Sequence, residues 1–243
     1  MTGTDRAVSD TLAFTLVFTI IITSVGFTGV YGVEAVEDIS DSAQANTAER
    51  SMTSFARGVG AVRDNRAPQH VQRLELSGDR LQTADAEIRI EIGYEDDSYT
   101  NETVPVESFV RRTDSGTRFI YTAGATFRSQ PNGEVVTGTP ALRCGSDTAH
   151  VSLVRINGQV SQSSDGPVTV RANAQNRESI TPLSPDKGVK NVSVNVRNTR
   201  HTDAWERLFE SELPRWNGGN GRYTCDGIDR AVVHNTTVGI AVN

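Results

Sequence analysis

The sequence predicts an α+β fold: a long N-terminal membrane-spanning helix that continues into an amphipathic helix, then an antiparallel, β-rich, sandwich-like head with one short helix. Three observations predict it. An uncharged apolar run extends from Thr11 to Val33. Apolar residues then recur every three to five positions from Val36 to Val62, the period of one helix face. After Pro68 the period changes to two: Ile88, Ile90 and Ile92 alternate with Glu87, Arg89 and Glu91, as in a strand with one wet face.

The apolar run comes first. At about 1.5 Å per residue it reaches about 34 Å, against a bilayer core of roughly 30 Å. Arg6 and Asp10 precede it, and Glu34, Glu37, Asp38 and Asp41 follow. The basic residue lies on the short side, so the positive-inside rule puts the N-terminus inside and residues 34–243 outside. Three readings of the run stand open. It is a single-pass anchor, or a secretory signal peptide cut near Val30-Tyr31-Gly32, or a prepilin-type signal cut on the basic side so that the apolar helix is retained. Gly26, Gly29 and Gly32 lie three apart and share a helix face, which suits close helix packing.

The second helical stretch carries Val36, Ile39, Ala43, Ala48, Met52, Phe55, Val59 and Val62 on one stripe. Glu37, Asp41, Gln44, Glu49, Arg57 and Arg63 fill the other face. Ser9 or Asp10 is placed to cap the start, and Ala67-Pro68 to stop the helix. Gly58 and Gly60 weaken the distal part by roughly 1 kcal/mol each unless packing compensates, and mark close contact with the head or a kink.

In the head, Val71–Leu76, Arg118–Ala123, His150–Ile156, Val168–Ala174, Val192–Arg197 and Thr237–Val242 read as further strands. Asn157-Gly158 reads as a hairpin turn. Loops are expected at Tyr94–Thr103, Ser129–Pro140 and Ser161–Pro167. One amphipathic helix fits His201–Leu213, with Trp205, Leu208 and Phe209 on its apolar side and Pro214 after it.

Composition narrows the function classes. The net charge is −6, and Lys187 and Lys190 are the only lysines, which argues against nucleic-acid binding by bulk electrostatics. Cys144 and Cys225 both lie beyond the apolar run. Two thiols in an exported domain are expected to pair, closing a loop of about 81 residues worth roughly 4–5 kcal/mol in the chain-entropy model. The alternative is two buried free thiols. Asn101, Asn191 and Asn235 open N-x-S/T sequons, at which an outside location makes glycosylation possible. The histidines His70, His150, His201 and His234 show no metal-ligand spacing, and no nucleophile elbow, P-loop or dinucleotide fingerprint occurs. Asp96-Asp97 offers Ca²⁺ oxygens but reads first as a solvated acidic loop. Trp205 and Trp216 read as packing residues. No cofactor, metal site or catalytic residue is expected.

The string Asp5-Arg6-Ala7-Val8-Ser9-Asp10-Thr11-Leu12-Ala13-Phe14 resembles the N-termini of archaeal type IV pilin-like proteins, with their prepilin-type (class III) signal: a basic residue, a small residue, the cut, then Val-Ser and an apolar helix. The wider stretch from Asp5 to Pro68, with Asn46-Thr47-Ala48-Glu49-Arg50 and Arg66-Ala67-Pro68, is similar to a haloarchaeal pilin-like family. So are Pro140-Ala141-Leu142-Arg143-Cys144 and Val151-Ser152-Leu153-Val154-Arg155 in the head. The resemblance implies cleavage between Ala7 and Val8, with Arg6 on the leader side. Bacterial type IV pilins carry a Glu five residues after the cut. Here that position is Leu12, and Asp10 is the only nearby acid.

The expected layout is therefore a leader at 1–7, a transmembrane and filament-core helix at 8–33, an amphipathic extension at 34–67 and an extracellular β-rich head at 68–243. The expected function is that of a non-enzymatic, pilin-like surface protein, a minor or accessory filament subunit. Its partners would be the membrane, a prepilin peptidase and other pilin-like subunits that pack through the N-terminal helix. In that setting Asp10 pairs with the new α-amino group of Val8 on a neighbour, or simply caps the helix. A permanently anchored ligand-binding β-domain is the alternative, and an exported enzyme the third.

Overall fold

The computed structural model describes residues 4–180, 188–197 and 199–243, and their side chains except at 4–11, 28–38 and 180. Two compact units divide the chain, residues 1–46 and 47–243. Helix α1 runs from Thr4–Arg63.

The fold is mainly β. In chain order the strands are β1 (Gln69–Glu75), β2 (Arg80–Tyr94), β3 (Tyr99–Arg112), β4 (Arg118–Thr122), β5 (Ala125–Gln130), β6 (Gly133–Gly138), β7 (Ala141–Cys144), β8 (Thr148–Asn157), β9 (Ser161–Ser163), β10 (Pro167–Ile180) and β11 (Val189–Arg197). Helix α2 (Thr202–Glu212) follows, then β12 (Asn217–Gly219), β13 (Arg222–Asp226) and β14 (Arg230–Val242). They form a five-stranded sheet ordered β1-β10-β14-β8-β7 and a nine-stranded sheet ordered β12-β13-β11-β2-β3-β4-β5-β6, with β9 added onto β2.

Both sheets contribute to one core. Ile88, Ile90, Val104, Val192 and Val194 of the larger sheet share a buried cluster with Ala149, Val151, Leu153 and Val233 of the smaller one. Trp205, Leu208 and Phe209 of α2 join it. The alternation read at Ile88, Ile90 and Ile92 sends all three into this cluster, because side chains two apart on a strand share a face. Cys144 of β7 and Cys225 of β13 form a disulfide with a Cα–Cα distance of 5.7 Å. Since β7 and β13 belong to different sheets, the bond ties the two sheets together.

The structure corrects several expectations. The α+β class built on a membrane-spanning helix is not what is found. Among the described residues no helix is long and apolar enough to cross a membrane. The described apolar side chains of α1 run from Leu12 to Phe27 and are interrupted by Thr15, Thr19, Thr23, Ser24 and Gly26. The head is not wholly antiparallel either, because β14 pairs with β8 in parallel, from Arg230↔Thr148 to Gly239↔Asn157.

Asn157-Gly158 does not make a hairpin. The chain leaves β8 there, and β9 pairs with β2 instead. A Cβ at Gly158 would lie 2.5 Å from the Ile240 carbonyl oxygen; the glycine permits a close backbone approach rather than a tight turn. The expected loops at Tyr94–Thr103 and Ser129–Pro140 hold the start of β3 and the whole of β6. Helix α1 stops before Pro68, at Asn65, whose φ is 57°. Asn65 N–H donates to Val62 O and Arg66 N–H to Ala61 O, the paired bonds of a Schellman motif with Asn in the left-handed position.

Candidate functional site

Between Leu12 and Phe27, α1 carries ten large apolar side chains, each more than half exposed: Leu12, Phe14, Leu16, Val17, Phe18, Ile20, Ile21, Ile22, Val25 and Phe27. At 100° per residue they point in every direction around the axis, with no polar face left. Two of the hydroxyls on this stretch are spent inside the helix: Thr19 donates to Thr15 O at 2.7 Å and Ser24 to Ile21 O at 2.9 Å. A helix that is apolar all round is one that is covered in its working state.

Arg6, Ala7, Val8, Ser9 and Asp10 have helical backbone, but their side chains lie outside the described residues. Because α1 begins at Thr4, Ser9 and Asp10 sit inside the helix rather than at its start. Gly26 has open space around it, with nothing within 4 Å of a Cβ added there. Gly29 and Gly32 lie where side-chain surroundings are not described.

The distal stretch of α1 is anchored by its own chain. Ala48, Met52, Phe55, Val59 and Val62 are buried, whereas Ile39, on the same expected stripe, is 70% exposed. Burial along the stripe begins at Ala48, within the same compact unit as the head. The Phe55 ring lies 4.8 Å from Phe109 and 5.6 Å from Tyr121, centroid to centroid. Gly58 sits against His70, whose ring a Cβ would meet at 2.3 Å; this glycine marks close contact.

Polar bonds complete the anchor. The Arg111 guanidinium donates to Asp79 at 2.5 Å, to Ser51 Oγ at 2.7 Å and to Glu75 O at 2.6 Å. Arg111 and Asp79 are both fully buried. Burial pushes the Asp79 carboxyl above its ordinary range, opposed by the bond to Arg111. Arg128 pairs with Glu49 at 3.0 Å, and Arg177 donates to Val62 O at 2.8 Å near the end of the helix.

The remaining sequence candidates separate clearly. Among the sequons, Asn101 is exposed and Asn191 half-buried, whereas Asn235 is 4% exposed in the middle of β14. A glycan has no room at Asn235 in the folded chain. Asp97 pairs with Lys190 at 3.0 Å and Asp96 accepts the Ser98 N–H. Among the described residues no group of three acidic, histidine or cysteine side chains is placed to hold a metal ion. His201 Nδ1 lies 2.6 Å from Glu134. Trp205 and Trp216 are both buried, with Trp205 stacked edge-on against Phe127 at 5.4 Å.

Two concavities in the head were not expected. An open cleft of about 590 Å³ lies beside the disulfide, floored by Leu142, Leu213 and Trp216. A smaller polar cavity of about 350 Å³ lies where α2 begins, lined by Gln82, Ser108, Arg118 and Arg200 among others. The strand residues at these sites and at the Arg111 clamp were missed because they are scattered along the chain and meet only through sheet pairing. The one signal was polar Ser108 and Arg111 within the otherwise strand-like Val104–Arg112 stretch.

A family model described as a family of unknown function, DUF7289, matches residues 6–242. The chain belongs to this family. No curated protein matches it, and no solved structure does. Family membership thus covers helix and head as one unit of inheritance and carries no chemistry, so any functional reading rests on the residues themselves.

Proposed function

We propose that this protein is a pilin-like surface protein, a minor or accessory filament subunit with a structural or adhesive role and no catalytic one. The observation that carries the reading is the Leu12–Phe27 stretch, with large apolar side chains on all sides that are each more than half exposed. Helices of the same kind from neighbouring subunits are its natural cover. Covering ten half-exposed side chains contributes on the order of 10 kcal/mol, comparable with the roughly 4–15 kcal/mol lost on association. Repeating that contact along a filament multiplies it.

Two further features support the reading. Arg6-Ala7-Val8 has the residue types of a prepilin-type cut, so a prepilin peptidase would leave Val8 as the mature N-terminus with the apolar helix retained. The Cys144–Cys225 disulfide suits an oxidising location outside the cytoplasm. In this assembly Asp10 would neutralise the α-amino group of Val8 on a neighbour.

The test uses the full chain expressed with its native processing machinery. Mass spectrometry should find the mature protein starting at Val8, and sheared surface fractions should contain it in filaments. Phe18→Asp should abolish assembly while leaving the melting of the head unchanged. A mature chain starting at Met1, together with Phe18→Asp protein that assembles normally, would sink the proposal.

A further inference from the structure

We infer that the polar cavity between strands β2–β4 and the start of α2 is a binding site for a small oxyanion, a ligand carrying a phosphate or carboxylate group. The cavity interrupts an apolar face. Gln82 and Ala84 lie opposite Val110 and Ser108 across the β2–β3 pairing. These positions share a face with Ile88, Ile90, Val104 and Val106, all of them in the core. Where that face should close with apolar side chains it carries Gln82 and Ser108, and Arg118 of β4 adds a guanidinium.

Donor capacity is left over there. Ser108 is 4% exposed, lines the cavity, and its hydroxyl has no hydrogen-bond partner among the described residues. Arg118 donates to Ser129 Oγ at 3.2 Å and has no carboxylate partner among the described residues. Arg200, exposed at the mouth, has none either. Asp85 is the one carboxylate in the lining, so two guanidinium groups face a single negative charge.

Helix α2 starts beside the cavity. It is eleven residues long, and its N-cap, His201, makes no side-chain capping bond because the ring is turned to Glu134. Its first turn carries Asp203, and the cavity lining stops short of it. Thr199, Arg200 and His201, which lead into that turn, form one wall of the cavity. Two guanidinium groups and a hydroxyl together match the chemistry of phosphate or carboxylate. The volume, about 350 Å³, suits a small molecule or a single headgroup.

Calorimetric titration of the full chain in mild detergent tests this, with inorganic phosphate, glycerol 3-phosphate and glucuronate as soluble probes and phosphatidylglycerol vesicles as the lipid probe. Saturable binding of a soluble probe is expected, weakened about tenfold or more by Arg118→Gln and several-fold by Ser108→Ala. Arg143→Gln, in the cleft beside the disulfide, should leave it unchanged. Binding to vesicles alone, lost in Arg118→Gln, would support the same chemistry and place the anion on a lipid headgroup. Should Arg118→Gln unfold, Arg200→Gln at the exposed mouth takes its place and must lower affinity several-fold. No saturable binding by about 10 mM, near the weakest affinity worth calling a site, would overturn the inference. So would binding indifferent to the Arg118 or Arg200 substitution.

Discussion

Two stretches of α1, Leu12–Phe27 and Ala48–Val62, are both helical and both rich in apolar residues, yet they meet opposite surroundings. The distal one places its apolar residues on a single stripe and finds aromatic rings, a buried guanidinium and a closely packed histidine in its own head. The proximal one has large apolar residues on every side, each more than half exposed. A one-sided stripe can be satisfied by a single sheet; an all-round apolar surface needs several neighbours. The sequence pattern thus separates a stretch that folds with its domain from one whose apolar side chains stay exposed.

The largest expected effect breaks the covered stretch. Phe55→Ala removes a fully buried ring packed on Phe109 and Tyr121, and should lower the stability of the head by about 3–5 kcal/mol in chemical denaturation. Phe18→Ala changes a side chain 55% exposed and should move that transition by less than about 0.5 kcal/mol. Equal effects from the two substitutions would erase the distinction between the stretches.

Arg111 sharpens it next. Arg111→Ala strands the Asp79 carboxylate in the interior and should cost about 3 kcal/mol or more. Replacing both partners, as Asp79→Leu with Arg111→Met, should recover most of that loss, because two uncharged side chains leave no unpaired charge behind. If the double variant is as unstable as the single one, the clamp works through Ser51 and the Glu75 carbonyl rather than through charge. A smaller effect is expected where the covered stretch ends. Asn65 holds φ at 57°, a conformation that costs a β-branched residue about 1–2 kcal/mol. Asn65→Val should destabilise the head by about that amount, and Asn65→Gly should be neutral within about 0.5 kcal/mol, both measured by thermal melting.

Local rules made much of this legible. The stripe from Ala48 to Val62, the alternation in β2 and the amphipathic Trp205–Phe209 stretch each follow from side-chain period, and burial confirms the residues they name. The strands that escaped notice were those whose reason is not local. In β3, Pro105 and the charges around it argue against a strand. Yet β4 pairs with β3 only from Phe109 to Arg112, so Pro105 sits where one side of β3 has no ladder to break. The parallel β8–β14 pair joins residues about eighty positions apart in sequence, beyond the reach of any short pattern. The clamp at Arg111 and the cavity at Ser108 and Arg118 were hidden for the same reason, since each is assembled from strands that only the sheet order brings together. The membrane-spanning length misled for a different reason: it was counted on the absence of charge, although the hydroxyls and glycine within the stretch lower its apolar character.

The smallest predicted effect concerns Glu107, two residues before Phe109 and on the same face of β3. It stands directly opposite Asp85 in the β2–β3 register, a like-charge pairing that destabilises a sheet. One of its carboxylate oxygens is buried without a partner. Burial first, and then the neighbouring Asp85, raises its pKa above the ordinary glutamate value, with Arg155 opposing. The folded chain therefore holds this proton more tightly than the unfolded one. Stability from this group is fully present below the unfolded pKa and is lost as pH rises through the raised folded value. Glu107→Gln should accordingly stabilise the head at neutral pH by a small amount, under about 1 kcal/mol for a partly exposed group, and flatten that part of the pH–stability curve. A loss of stability in Glu107→Gln at pH 7 would instead mean that the Arg155 attraction outweighs burial, and that the surface beside Phe109 is held by charge as well as by packing.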